Sequence, residues 1–199
     1  MKCESCGKNA IYRCSVCGRL LCGEHSKPKT VCPFCIKKTA LKYTIGRLTS
    51  NKDREKIREF IKRFWGEEEQ LTFDRNFIVA ELPAYVAKSG NTIVGFVSFA
   101  EVDEAILIVV LGILPKYQNA GVGKSLIRKV EAKAQKLKKV KLLVATSNDD
   151  LPALAFYQSH GFQIYEAKPN IIAEKHGKVL KGIGGLPIRD ELRLRKPLK

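Results

Sequence analysis

The stretch that most limits how this chain can fold is residues 105–139, AILIVVLGILPKYQNAGVGKSLIRKVEAKAQKLKK. Ala105 to Leu114 are apolar or small, a run too short to cross a bilayer and long enough for a core strand. Pro115 ends that strand. Gln118-Asn119-Ala120-Gly121-Val122-Gly123 follows with the form Q-x-x-G-x-G, whose glycines allow a sharp turn and close approach of a ligand. Val122, Leu126, Val130, Ala134 and Leu137 then recur at helical spacing. A helix starting directly after such a loop presents unpaired N–H groups and the positive end of its dipole, which suits a phosphate. Lys124 and Arg128 add positive charge there.

Two nucleotide readings of this loop fail on spacing. Gly123-Lys124-Ser125 ends like a Walker loop, but that motif needs glycine where Gln118 stands. A dinucleotide fingerprint needs a third glycine where Leu126 stands. The formal net charge of +16 favours polyanionic partners: nucleic acid, a ribosome, an acidic protein or a phosphorylated cofactor. The N-terminal MKCESCGKNA lacks the apolar core of a signal peptide, and no run of ~18 apolar residues exists. The expectation is a cytoplasmic chain with reduced thiols and no membrane segment.

All seven cysteines lie within the first 35 residues. They form the pairs Cys3/Cys6, Cys14/Cys17, Cys22/His25 and Cys32/Cys35, each with two residues between its members. Eight ligands suffice for two tetrahedral zinc ions, one with four thiolates and one with three thiolates and an imidazole. Gly7, Gly18 and Gly23 follow ligands, where knuckle turns call for positive φ. The segment has few apolar residues, so metal must supply its folding energy. The run from Ala10 through Tyr12, Cys14, Cys17, Leu21 and Cys22 to His25 resembles B-box and AN1-type fingers. The resemblance implies a cross-brace, joining pairs one and three, then two and four. Those families end in histidines, whereas this segment ends Cys32-Pro33-Phe34-Cys35. What such a finger touches stays open between nucleic acid, protein and a purely structural cap.

Between finger and loop, residues 41–48, 76–82, 84–88 and 93–100 read as strands. Ser50-x-x-Asp53 reads as a capping box for a helix whose apolar face is Ile57, Phe60, Ile61, Phe64 and Trp65, with Trp65 in the core. Beyond the loop helix, Val140 to Ala145 is a short buried strand, and Asp150 can cap the next helix, with Pro152 in its first turn and Gly161 at its end. In the last strand Ile188, Leu192 and Leu194 share a face by alternation with Asp190, while Glu191, Arg189, Arg193 and Arg195 form a solvated charged face. His160 and His176 read as surface residues. The fold class is α/β, a mixed and mostly antiparallel sheet flanked by helices, with a small N-terminal zinc-binding domain. The domain boundaries are 1–38 for the finger and 39–199 for the rest.

Gln118 to Gly123 matches the Q/R-x-x-G-x-G/A signature of the GNAT acyltransferase superfamily. The approach Ile113-Leu114-Pro115-x-Tyr117 also fits. Residues 146–162, TSNDDLPALAFYQSHGF, resemble the family's second motif, and Gly184 to Glu191 resembles an ending seen in one bacterial and archaeal group. The resemblance covers residues 41–199. It implies acetyl-CoA between two splayed parallel strands, residues 106–114 and 141–145. It further implies that backbone N–H groups of Gln118, Asn119, Ala120, Gly121, Val122, Gly123 and Lys124 hold the pyrophosphate, with Ser125 also on the cofactor, and that the backbone at Ile113 holds the acyl carbonyl and pantetheine. Asn119 replaces the basic residue common in the family, and Asp150 replaces its asparagine, which leaves contact with pantetheine to Asn148.

Tyr157 matches the family tyrosine that protonates the departing CoA thiolate. The strand before the loop carries no carboxylate, so candidates for the base are Glu101, Asp103 and Glu104 in the preceding turn, Asp190, or a water chain. The resulting expectation is an N-acetyltransferase that moves acetyl from acetyl-CoA to a primary amine, on a small molecule or on a protein recruited by the finger. The alternative is a non-catalytic CoA-binding scaffold serving as an RNA-, ribosome- or protein-binding module.

Overall fold

The computed structural model describes residues 1–14, 19–25, 32 and 41–198. Strands β1 (Tyr12–Arg13) and β2 (Leu20–Leu21) pair antiparallel in the cysteine segment. The main sheet uses β3 (Thr44–Arg47), β6 (Ala84–Ser89), β7 (Thr92–Val102), β8 (Ala105–Ile113), β9 (Lys141–Ser147), β10 (Gln163–Lys168) and β13 (Glu191–Pro197). Two small hairpins stand apart from it: β4 (Glu69–Thr72) with β5 (Arg75–Ile78), and β11 (Leu180–Lys181) with β12 (Pro187–Ile188). The helices are α1 (Asn51–Trp65), α2 (Val122–Lys136), α3 (Leu151–Ser159) and α4 (Ile171–His176). The sheet order is β10-β13-β9-β8-β7-β6-β3, antiparallel throughout except where β8 and β9 run parallel.

Each face of the sheet has its own core. On one face Ile57, Phe60 and Ile61 of α1 are buried against Val86, Phe96 and Val110. On the other, Leu126, Ile127 and Val130 of α2 and Tyr157 of α3 pack on Ile106, Ile108, Leu142 and Val144. Alternation sends Ile106 and Ile108 of β8 to the α2 face; the extra residue at Val109 then reverses the parity, so Val110 faces α1 while Leu111 and Ile113 return to the α2 face. The expected capping box at α1 is absent: Ser50 makes no side-chain cap bond. Asp53 is buried instead and pairs with Lys88 at 2.6 Å. A missing cap costs about 1 kcal/mol, and each buried side chain of α1 contributes ~1.5–3 kcal/mol, so packing decides that helix.

Several expected boundaries move. The strand expected over 76–82 ends at Ile78 and continues as a 3₁₀ turn, Val79–Glu81. Strand β4 was not expected; it forms a hairpin with β5 through Phe73 and Asp74, whose φ angles are +52° and +59°. The charged face expected of the last strand is not solvated, because Glu191 and Arg193 are buried. The hairpin tip covers them. Arg193 lies 2.6 Å from Glu191, 3.2 Å from Glu166 and 3.0 Å from Asp74, and stacks 4.7 Å from the Phe73 ring. Burial opposes its charge, but Glu191 and Asp74 outweigh that and hold the guanidinium protonated. Trp65 also departs from expectation, since it is 39% exposed.

Candidate active site

The site is built where two parallel strands part. β8 and β9 pair only from Ala105/Lys141 to Ile108/Val144. Beyond Ile108, β8 continues on β7 alone, and beyond Val144, β9 continues on β13 alone. A register shift against β7 at Val109 marks the point of separation, as bulges do. The two strands thus leave a V-shaped opening toward their C-terminal ends, with an unpaired β8 edge over residues 109–113.

The glycine loop closes the tip of β8. Pro115–Tyr117 form a 3₁₀ turn, then Asn119 (φ +62°) and Gly121 (φ +82°) adopt left-handed conformations. Asparagine tolerates that region better than most residues, which accounts for Asn119 there. Among the described residues, no acceptor pairs with the backbone N–H of Asn119, Gly121, Val122, Gly123 or Lys124, and Gly121 caps α2 with no side chain. These N–H groups and the helix dipole form an anion cradle. Gly123 leaves little room for a side chain: a Cβ there would meet the Phe156 ring at 3.0 Å, so α3 packs directly on the first turn of α2. Ser125 bonds Tyr43 at 3.0 Å, and Gln118 Nε2 donates to the Ile113 carbonyl at 3.3 Å. Beside α2 a cleft of about 370 Å³ carries Lys124, Arg128, Lys196 and His160. His160 Nδ1 donates to the Phe156 carbonyl at 2.8 Å.

At the end of β9 three consecutive residues have separate tasks. Asn148 accepts from the N–H groups of Arg189 and Asp190, both at 3.0 Å, and donates to the Pro187 carbonyl at 2.7 Å. Its amide therefore holds the 187–190 segment, where sequence reasoning expected it to be available to pantetheine. Asp149 is buried and accepts from Ser147 and from Ile183 N–H at 3.0 Å. Gly182 is needed beside it, because a Cβ there would overlap the carboxylate. Asp150 caps α3 through Ala153 N–H at 3.0 Å, as expected. Sequence reasoning missed Asp149; the only signal was a second acid beside the cap.

Tyr157 lies on the buried face of α3, with Phe156 and Phe162 ring centroids at 5.4 and 5.5 Å. Burial, then the Asp150 carboxylate, push its phenol above the ordinary tyrosine range. The proposed base candidates fare differently. Glu104 lies in the turn that enters β8, at the closed end of the V; five residues of strand, ~17 Å, separate it from Val109. Glu101 pairs with Lys133 and is at that same end. Asp190 does lie at the open end, but between β12 and β13 rather than on a continuous strand face. One oxygen accepts from Asn170 N–H and the other from Arg189 Nε, each at 2.9 Å. These bonds, the Asn170 N–H first, hold its carboxyl below the usual range despite partial burial.

The cysteine segment brings Cys3, Cys6, Cys22 and His25 together, with their ligand atoms within 4.8 Å of one another. Cys22–His25 is 3.3 Å, Cys6–Cys22 3.7 Å and Cys3–His25 3.8 Å. A disulfide would need about 2.05 Å. A tetrahedron with metal–ligand bonds of 2.0–2.3 Å has edges of roughly 3.3–3.8 Å, so the donors fit zinc. Each pair sits on a turn, with Gly7 N–H bonded to the Cys3 carbonyl and His25 N–H to that of Cys22. Gly7 has φ +76°, whereas Gly23 does not adopt the expected positive φ. Cys32 N–H donates to Cys14 Sγ at 3.3 Å, which places these two cysteines side by side. Cys17, Gly18 and Cys35 lie outside the described residues.

The profile of the acetyltransferase (GNAT) family matches residues 53–162. The uncharacterised protein YxbD of Bacillus subtilis (strain 168) is 29% identical over 153 residues, covering 73% of this chain and 94% of that one. A GNAT family acetyltransferase from Elizabethkingia anophelis with acetyl-CoA bound has a TM-score of 0.60 at 24% identity, over 78% of this chain and 98% of its own. The ribosomal-protein-S18-alanine N-acetyltransferase from Escherichia coli has a TM-score of 0.56 at 15% identity, over 79% and 95%. The profile match spans more than half the sequence and takes in most of α1, the V, the glycine loop and Tyr157: the chain belongs to the acetyltransferase (GNAT) family.

Proposed function

We propose that the chain is an N-acetyltransferase that moves acetyl from acetyl-CoA to a primary amine, with residues 39–199 forming the catalytic domain. The observation that carries this is the row of unpaired N–H groups at Asn119, Gly121, Val122, Gly123 and Lys124 beside the unpaired edge of β8. The first suits a pyrophosphate and the second suits a thioester arm. Lys124 and Arg128 give the adjoining cleft the charge that CoA phosphates require, while Lys196 is paired with Glu131 of the same cleft. Attack by the neutral amine on the thioester carbonyl forms the C–N bond and breaks the C–S bond; the released thiolate takes the proton of Tyr157, the nitrogen gives up its extra proton to solvent, and solvent returns one to the tyrosinate. The acceptor is a small-molecule or protein amine; the S18-alanine enzyme of similar fold acts on a protein. No described helix is long and apolar enough to cross a membrane, and the proposed site of action is the cytoplasm.

Residues 1–38 are proposed as a cross-brace finger holding two structural zinc ions, Cys3/Cys6/Cys22/His25 on one and Cys14/Cys17/Cys32/Cys35 on the other. The adjacency of pairs one and three, and of Cys14 and Cys32, supports that pairing. The test is acetyl transfer from acetyl-CoA across a panel of amines, peptides and ribosomal proteins, read by thiol release and by product mass. Transfer to at least one primary amine is expected. Saturable CoA binding without turnover would instead support the non-catalytic scaffold, a reading favoured by the lack of any carboxylate in β8. Salt-sensitive RNA binding would then identify its partner.

A further inference from the structure

Trp65 ends α1 and is the only tryptophan in the chain. Its ring lies on the backbone of β8: a Cβ at Gly112 would come within 2.9 Å of Trp65 and 3.0 Å of Phe60. Gly112 belongs to the part of β8 that β9 has left, so the indole borders the V. It does so from the face opposite the glycine loop, since Ile113 packs toward α2 and Gly112 toward α1. The β4–β5 hairpin starts four residues later, and its tip reaches Glu191 and Arg193 of β13, beyond β9 in the sheet. Indole, hairpin and open strand edge therefore bound one space on the α1 face. A thioester arriving from the α2 face leaves this space as the approach for the nucleophile.

The chemistry of that space favours a cation. Glu67, Glu68 and Glu69 directly follow Trp65-Gly66, an acidic run in a chain of net charge +16. Lys175 occupies Glu67, and Lys62 and Arg58 occupy Glu68, but Glu69 is exposed with no ion pair among the described residues. Arg63 already stands 5.7 Å over Phe64, while no described cation covers the indole. Trp65 keeps 39% of its surface exposed, although its other side has an apolar seat. Tryptophan is the strongest aromatic partner for an ammonium group.

Resting on the N-acetyl-transfer reading, we propose that Trp65 is the specificity-determining residue for the acceptor. The indole receives the ammonium group and adjoining methylenes of a cationic alkylamine, a lysine-type side chain or a free diamine. Anionic and neutral acceptors are disfavoured by the same surface. Trp65→Ala should raise acceptor KM about tenfold, and Trp65→Phe about threefold, with acetyl-CoA affinity and kcat at saturation unchanged. Because the tryptophan is unique, its fluorescence reports occupancy without turnover. The CoA-saturated protein is titrated with 1,5-diaminopentane, n-butylamine and, as control, butyrate. A saturable response to the amines and none to butyrate is expected. An amine that is acetylated yet leaves the fluorescence unchanged, or an unchanged KM in Trp65→Ala, overturns the assignment. A saturable response without acetylation of any amine removes the transferase reading and keeps the site. No response from either amine overturns the site itself.

Discussion

Replacing Tyr157 by phenylalanine separates folding from chemistry with one oxygen atom. The phenol is buried, and its hydroxyl makes no hydrogen bond among the described residues. The hydroxyl oxygen is not among the fully buried polar atoms that lack a partner, so it keeps contact with solvent, and Tyr157→Phe should change folding by less than about 1 kcal/mol. The ring contacts with Phe156 and Phe162 survive the change. Turnover should fall at least ~100-fold, the low end for loss of a general acid. Acetyl-CoA affinity, measured by calorimetry, should stay within a factor of two to three. There is also a signature in pH. The folded chain keeps this proton above the ordinary tyrosine pKa near 10, at which the unfolded chain ionises. Its stability is therefore intact below that value and falls as pH rises above it. Tyr157→Phe removes this contribution, so the difference between wild-type and variant melting temperatures should be constant below about pH 10 and change only above it. Unchanged turnover would refute the acid role. A loss of more than 1 kcal/mol in folding would refute the premise that the hydroxyl has no partner in the core.

The two glycines of the loop are held for different reasons and should fail differently. Gly121→Ala places a Cβ in a left-handed residue, at a cost of about 1–2 kcal/mol; the free loop should relax out of that conformation, so the cost falls on acetyl-CoA binding, weakened roughly 5–30-fold, with little loss of melting temperature. Gly123→Ala drives a Cβ into the Phe156 ring and should instead lower stability by about 1–3 kcal/mol, seen as a drop of some 2–4 °C per kcal/mol in thermal melts. Metal analysis should find about two zinc ions per chain, and Cys22→Ser should leave one; iron, or oxidised cysteines without metal, would end the finger reading. Arg193→Met leaves Glu191 buried and unpaired and should cost about 3–5 kcal/mol in denaturant unfolding, with the double variant Glu191→Gln/Arg193→Met regaining most of it.

Much of this was legible because it rests on local pattern. The strand, glycine loop and α2 are contiguous, so apolar period and turn chemistry reveal them directly. The cap at Asp150 is a bond over three residues, and the cysteine pairs declare themselves by spacing. Failures came where distant residues decide. Glu191 and Arg193 alternate like a solvated edge, and only the hairpin tip 118 residues away buries them. That hairpin turns through Phe73-Asp74 without glycine, so no turn signal marks it. Asp53 stands where a capping acid belongs but is taken by Lys88, a strand residue 35 positions on. Trp65 falls in register with a core face and still emerges 39% exposed at the last position of α1. The direction of an amide is equally invisible in a sequence: Asn148 suits pantetheine by motif and is spent on the 187–190 segment.

The placement of carboxylates bears on how the amine loses its proton. Glu101 and Glu104 lie at the closed end of the V, and both oxygens of Asp190 are bonded, its carboxyl held below the usual range. A carboxylate so stabilised is a weak proton acceptor, since every bond that favours its charge lowers its basicity. Of the candidates read from the sequence, that leaves solvent entering the open edge of β8. The rate should then follow the fraction of neutral amine. For an alkylamine, log(kcat/KM) should rise about one unit per pH unit from pH 6 to 9, without a plateau below the amine pKa of roughly 10. For a peptide α-amine the rise should level near pH 8. Asp190→Asn should keep these slopes while lowering the rate, because it removes the partner of Arg189 and weakens the acceptance from Asn170. A plateau at acid pH that disappears in Asp190→Asn would show the carboxylate taking the proton after all. The slopes therefore distinguish a residue that holds the wall of the cleft from one that takes part in the reaction.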